Sequence, residues 1–250
     1  MTRTLLAALA VTTALAAPSF ALDLSKMTPD EKTAFGDAVR EYLMQNPEVL
    51  VEAINVLDQR QQAAAAQNDK TLVATNEKDL LQNPNDWVGG NPEGDITIVE
   101  FTDYKCTYCK KAYPEVANLL KNDGKIRFVV KEFPILGPQS ELGARFAIAV
   151  KQLAGDAAYE KVHDTLMTQR GDISLEGLKR LATEEKLDAD AIVNRMNTEE
   201  VTAVIRANMQ LGERMAISGT PAFVIGQQLM RGYGPEAAMA QIVAEERKAE

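Results

Sequence analysis

Cys106 and Cys109 stand two residues apart and are the only cysteines in a chain of 250 residues. The stretch Phe101-Thr102-Asp103-Tyr104-Lys105 leads into Cys106 from a strand-like segment, and residues 109–120 read as a helix. Cys106 therefore lies at the mouth of a helix, where unpaired amides and the helix dipole favour negative charge. Its thiol is expected to ionise below the ordinary value of about 8.5. A thiolate attacks a disulfide and forms a mixed disulfide, which a second thiol then resolves. Cys109, one turn further in and more buried, is placed to be that second thiol. Two other uses of cysteine compete. A structural bridge across so short a loop removes little chain entropy. A zinc site needs about four ligands, whereas the chain supplies two cysteines and the lone His163, so only a site shared between subunits could complete one. Cys106-Thr107-Tyr108-Cys109 reads as a redox pair that calls for no cofactor and no metal, and His163 as a surface or core residue.

Further residues bear on this pair. Glu100 shares a strand face with Ile96 and Ile98, so it points where apolar side chains point. A carboxyl held there has a raised pKa and can exchange a proton with a buried thiol; the alternative is a glutamate at the strand's end reaching water. Lys131 and Glu132, near the end of the neighbouring strand, either tune the same site or form a solvated pair, and the solvated pair is the simpler reading. Ser218-Gly219-Thr220-Pro221 permits either a cis peptide or an ordinary trans turn before a strand. Pro114 falls inside the helix after Cys109 and is expected to kink it.

These residues need a scaffold, and the pattern supplies one. Residues 96–101 and 126–133 read as strands flanking the helix, which implies a parallel pair joined by a crossover. Residues 139–215 are almost wholly helical, with apolar faces marked by Leu175, Leu178 and Leu181 and by Val201, Val204 and Ile205. Strand character returns at 222–225, a Gly226-Gln227-Gln228 turn leads to 229–231, and Pro235 opens a last helix. Asn83-Pro84-Asn85-Asp86 and Gly89-Gly90-Asn91-Pro92 read as turns. Upstream, Thr28-Pro29-Asp30-Glu31 is a capping box. Phe35, Val39, Tyr42 and Leu43 recur at helical spacing, Asn46-Pro47 ends that helix, and Leu50, Ile54 and Leu57 stripe a second. The stripe fades into Gln59-Arg60-Gln61-Gln62 and four alanines, a helical spacer with little to bury.

The first residues read as an export signal: Arg3, an uncharged apolar run over residues 5–17, and Ser19-Phe20-Ala21, with cleavage expected after Ala21. The run is shorter than the roughly 20 residues that cross a bilayer, which disfavours an anchor and leaves a soluble protein outside the cytoplasm. The domain division expected is 1–21 signal, 22–82 helical oligomerisation segment and spacer, and 83–250 catalytic domain with a helical insertion at about 137–217. A net charge of −9 argues against a nucleic-acid binder, whose phosphate contacts need a basic surface.

The dithiol after a strand, with Gly219-Thr220-Pro221 far downstream, resembles the DsbA-like branch of the thioredoxin superfamily over about residues 84–250. That resemblance implies an α/β thioredoxin fold, βαβ and ββα halves separated by the helical insertion. It also implies that Thr220-Pro221 is a cis site facing the dithiol, exposing the Thr220 backbone to an extended substrate, that Thr107 and Tyr108 border the same substrate, and that Glu100 matches the family's buried acid. Strongly oxidising members carry histidine between the cysteines; Tyr108 here, with Thr220 before the proline, looks more like the isomerase and reductase branches, DsbC, DsbG and ScsC. The activity implied is a periplasmic protein disulfide oxidoreductase leaning to isomerase or reductase, with a disulfide-introducing oxidase and a non-catalytic chaperone as alternatives. The two N-terminal helices must bury their stripes on the catalytic domain or on copies of themselves. They resemble the trimer-forming stalk of ScsC-like oligomeric isomerases, implying a homo-oligomer through residues 22–70. Its partners are unfolded or wrongly bridged exported proteins and a membrane redox partner of the DsbD or DsbB kind.

Overall fold

Ile96-Thr97-Ile98-Val99-Glu100-Phe101 and Ile126-Arg127-Phe128-Val129-Val130 are apolar at nearly every position, which suits strands covered on both faces. The computed structural model, which describes residues 26–249, shows that arrangement. The chain divides into two compact units, one ending at Gln59 and the other beginning at Arg60. The first holds α1 (Pro29–Gln45) and the start of α2 (Glu48–Leu81). Thr28 caps α1: its hydroxyl accepts from the Glu31 amide at 3.3 Å, while the Glu31 carboxylate accepts from the Thr28 amide at 2.8 Å. Phe35, Val39, Tyr42, Leu50, Ile54 and Leu57 are exposed. The expected signal segment lies outside the described residues. No described helix is long and apolar enough to cross a membrane.

The second unit is built on a five-stranded sheet in the order β1-β3-β2-β4-β5. The strands are β1 (Trp87–Gly90), β2 (Ile96–Thr102), β3 (Ile126–Glu132), β4 (Ala222–Ile225) and β5 (Gln228–Arg231). β2 and β3 are parallel and joined through α3 (Thr107–Asp123); the other neighbours are antiparallel. Gly124 ends α3 in the left-handed conformation at φ 70°, where a side chain is strained. The helical insertion comprises α4 (Pro138–Ala154), α5 (Asp156–Thr168), α6 (Leu175–Glu184), α7 (Ala189–Met196) and α8 (Glu199–Arg214), and α9 (Glu236–Ala249) follows β5.

Each face of the sheet has its own core. Ile96, Ile98, Ile126, Phe128 and Val130 pack with α3, α9 and the inner sides of α4 to α7, in the same cluster as Cys106 and Cys109. Val99, Phe101 and Val129 pack on the other face with Val73 and Leu80 of α2 and Leu211 of α8. Two features depart from the sequence pattern. The helical spacer, expected to have little to bury, ends at Leu81 with Val73, Asn76 and Leu80 buried, Val73 and Leu80 against the sheet. The Gly89-Gly90 stretch, read as a turn, is the edge strand β1: two glycines give no alternating signal, but Trp87 seats the strand by stacking on Tyr159, with ring centroids 5.6 Å apart.

Candidate functional site

Cys106 is the N-cap of α3, in extended backbone, so its sulfur faces the free amides of the first turn. The Cys109 amide donates to that sulfur at 3.3 Å, and the Cys106 thiol in turn donates to the Thr220 carbonyl at 3.2 Å. A hydrogen bond from the Cys109 thiol, joined by the Cys109 and Tyr108 amides, outweighs partial burial and pulls the Cys106 thiol down to about 6. Cys109 goes the other way. Burial, reinforced by its hydrogen bond to Cys106 and the charge of Glu100, pushes it well above the ordinary thiol value. The two sulfurs thus differ sharply in acidity although they share one turn.

The segment before β4 meets this turn. The Thr220-Pro221 peptide is cis, and its Thr220 carbonyl is the group that meets Cys106. Thr107 and Tyr108 are exposed, with the Tyr108 ring centroid 6.4 Å from that of Tyr233. Tyr233 is itself held, its hydroxyl donating to Glu115 at 3.0 Å and its face covered by the Lys111 ammonium 4.1 Å from the centroid. Cys106, Cys109, Thr107, Tyr108, Thr220 and Pro221 are therefore brought together. The lysines flanking the pair are engaged elsewhere: Lys105 donates to the Gly171 carbonyl and Lys110 to the carbonyls of Leu166 and Gln169.

Glu100 is buried among apolar residues on the dithiol face of the sheet, and its Oε1 has no hydrogen-bond partner. Burial, with the charges of Cys106 and Glu132 adding to it, raises its carboxyl to about 8. The reading of Lys131 and Glu132 as a solvated pair is wrong. Both are buried, and they point to opposite faces because neighbours in a strand alternate. Lys131 pairs with Asp86 and the Asp79 carbonyl at the end of α2. Glu132 accepts the hydroxyls of Tyr104 and Tyr159, each at 2.6 Å, and burial raises it to about 8. His163 is a core residue, stacked on Tyr159 and Trp87, with Nδ1 2.9 Å from the Tyr104 hydroxyl. Burial lowers it to about 4.

Asp103 and Tyr104 escaped the sequence reading. Asp103 accepts from the amides of Lys105, Ile135 and Leu136, pinning the loop that delivers Cys106 to the segment after β3. A carboxylate three residues before a helical cysteine, in a loop, was the available signal for an Asx-type turn. No group of three or more potential metal ligands occurs among the described residues.

Known proteins resemble this chain. A family model described as thioredoxin matches residues 82–245, and one described as the N-terminal domain of copper resistance protein ScsC matches residues 31–64. A thioredoxin-like oxidoreductase from Silicibacter pomeroyi DSS-3 is 39% identical, with 69% of this chain and 98% of that one covered at a TM-score of 0.65. Salmonella enterica Typhimurium BcfH is 28% identical, with 87% and 96% covered at a TM-score of 0.70. The Na(+)/H(+) antiporter NhaA 3 of Salinispora tropica is 28% identical over 64% of this chain, which spans only 24% of the antiporter's length. The chain therefore belongs to the thioredoxin family, as a DsbA-like member that resembles ScsC.

Proposed function

We propose that Cys106 and Cys109 are the catalytic dithiol of an exported enzyme that breaks and reshuffles wrong disulfides in other proteins. The observation that carries the reading is the asymmetry of the pair: a thiol near 6 that is ionised at neutral pH, beside one held protonated. The Cys106 thiolate attacks a client disulfide. One client sulfur bonds to Cys106 and the other leaves as a thiolate. Cys109 then gives its proton to Glu100, attacks Cys106 and displaces the remaining client sulfur. The dithiol ends oxidised and the client disulfide reduced. If the client's own thiol attacks first, the client leaves with a rearranged bridge and the dithiol unchanged. The Thr220 carbonyl beside Cys106 supports pairing with an extended client segment, with Pro221, Thr107 and Tyr108 bordering it.

Lean toward isomerase or reductase rests on Tyr108, which offers no charge to stabilise the reduced form, where strong oxidases have histidine. A disulfide-introducing oxidase is the runner-up. The location proposed is the periplasm, with residues 1–21 as the signal; the relatives include a periplasmic thioredoxin-like protein from Salmonella enterica serovar Typhimurium. The division proposed is a helical segment over 22–82 and a catalytic domain over 83–250. Exposed Phe35, Val39, Leu50, Ile54 and Leu57 in a segment matching the ScsC N-terminal domain support a homo-oligomer. A membrane thiol-redox protein of the DsbD or DsbB kind is the electron partner proposed.

The test is the equilibrium of the dithiol with glutathione, together with refolding of a scrambled disulfide substrate. An isomerase gives a potential well below that of DsbA, about −120 mV, and restores the scrambled substrate, and Cys106→Ser does neither. A potential as high as DsbA's, with oxidation of reduced substrate, assigns the oxidase instead.

A further inference from the structure

Glu132 is a second buried acid on the face of the sheet that carries Glu100. β2 and β3 run parallel with Glu100 opposite Val130 and Thr102 opposite Glu132, so the two glutamates are diagonal neighbours on one face. Neither is paired with a cation: Lys131 points away from them, to Asp86. Their surroundings differ. Each has one oxygen without a partner, Oε1 of Glu100 and Oε2 of Glu132, but Glu132 receives two tyrosine hydroxyls on its Oε1 whereas Glu100 meets the side chain of Thr102 alone. The hydroxyl of Tyr104 donates to Glu132, and His163 Nδ1 lies 2.9 Å behind it. The groups facing Glu132 are Glu100 from β2, Asp103 and Tyr104 from the loop that follows, and Tyr159 and His163 from α5, while Asn208 of α8 donates to its backbone carbonyl at 3.1 Å.

Two carboxyls on one buried face do not both ionise cheaply, and they lose their protons as a pair. The first negative charge settles where donors await it. Two tyrosine hydroxyls meet Glu132, against the single Thr102 side chain at Glu100.

We propose that Glu132 is a positioning residue for the release step, holding that charge on Tyr104 and Tyr159 and so keeping the proton on Glu100 beneath Cys109. The assignment rests on the reading of Glu100 as the proton partner of Cys109. It gives the release step a later pH onset than capture, so a mixed disulfide at Cys106 persists long enough for a client thiol to rearrange it.

Stopped-flow reaction of the reduced full-length protein with 5,5′-dithiobis(2-nitrobenzoate) separates the two steps. Cys106 thiolate takes one thionitrobenzoate sulfur and expels the other; Cys109 then passes its proton to Glu100, bonds to Cys106 and expels the second. The dithiol loses two electrons and the reagent gains them. In the wild type the capture phase has its midpoint near 6 and the release phase near 8. In Glu132→Gln the release midpoint falls by about one unit with the capture midpoint unchanged. In Tyr104→Phe, which keeps the ring and removes one donor, it falls by less. Superimposable release profiles for the wild type and both variants, while Glu100→Gln abolishes the midpoint, overturn the role of Glu132. A release profile that Glu100→Gln does not alter removes the reading of Glu100 and this role with it. Absence of any second phase in the wild type removes the dithiol mechanism itself.

Discussion

The two sulfurs differ in acidity, and the neighbours of each set the difference. Cys106 draws two amides and a thiol hydrogen bond at the start of α3, whereas Cys109 is enclosed beside Cys106 and the acid Glu100, with the Asp103 backbone offsetting little of the burial. Iodoacetamide is therefore expected to modify Cys106 with a midpoint near pH 6 and to leave Cys109 unmodified in the folded protein; equal rates at the two thiols contradict this assignment. Cys109→Ser is expected to accumulate mixed disulfides with clients, visible on non-reducing gels, and Cys106→Ser to form none. This pair was legible in the sequence because its position relative to a strand and a helix is local information. Glu100 was legible too, through the parity it shares with Ile96 and Ile98. Glu132 was not. Its partners Tyr104 and Tyr159 are 28 and 27 residues away in sequence, and a Lys-Glu pair at a strand's end looks solvated until both faces of the sheet are known to be covered.

At the scale of elements, the same α2 helix serves two environments. Its start carries exposed Leu50, Ile54 and Leu57, and its end buries Val73 and Leu80 against the sheet. The early stripe was plain from its spacing. The late one was hidden, because two apolar positions seven apart among polar residues give a thin signal, and only the opposing strands make them a contact. Leu80→Ala is expected to destabilise the second unit by about 2–5 kcal/mol, read from urea unfolding. A change under about 0.5 kcal/mol, the level of ordinary surface substitutions, contradicts its place in the core. Ile54→Asp with Leu57→Asp is expected to convert the proposed oligomer to monomer in light scattering without altering Cys106 reactivity. An unchanged mass discards the helical segment as the assembly surface. Edge strand β1 shows the limit of pattern reading from the other side: a four-residue strand with two glycines is specified by its partners β3 and Tyr159 rather than by its own sequence.

The whole molecule stores protons in its centre. Glu100 and Glu132 are raised to about 8 by burial, so the fold keeps protons that the unfolded chain releases near 4.3. A carboxyl with its folded value above its unfolded one costs stability progressively as pH rises between the two. His163, lowered to about 4, acts in the opposite sense, but its contribution is complete once the unfolded imidazole is neutral above about 6.5. In the disulfide form, where neither cysteine titrates, the melting temperature is therefore expected to fall from pH 6.5 to 8 and the fall to be shallower in Glu132→Gln. A melting temperature that is flat or rising across that interval contradicts the buried pair.

Trp87 is the only tryptophan of the chain, and it sits on the edge strand with its ring stacked over Tyr159 and His163 of α5. Its ultraviolet emission is consequently a built-in optical gauge of one seam, where the helical insertion meets the sheet. Loosening of that seam shifts the emission to longer wavelength even while backbone circular dichroism holds steady, so the chain reports its own partial opening without an added label.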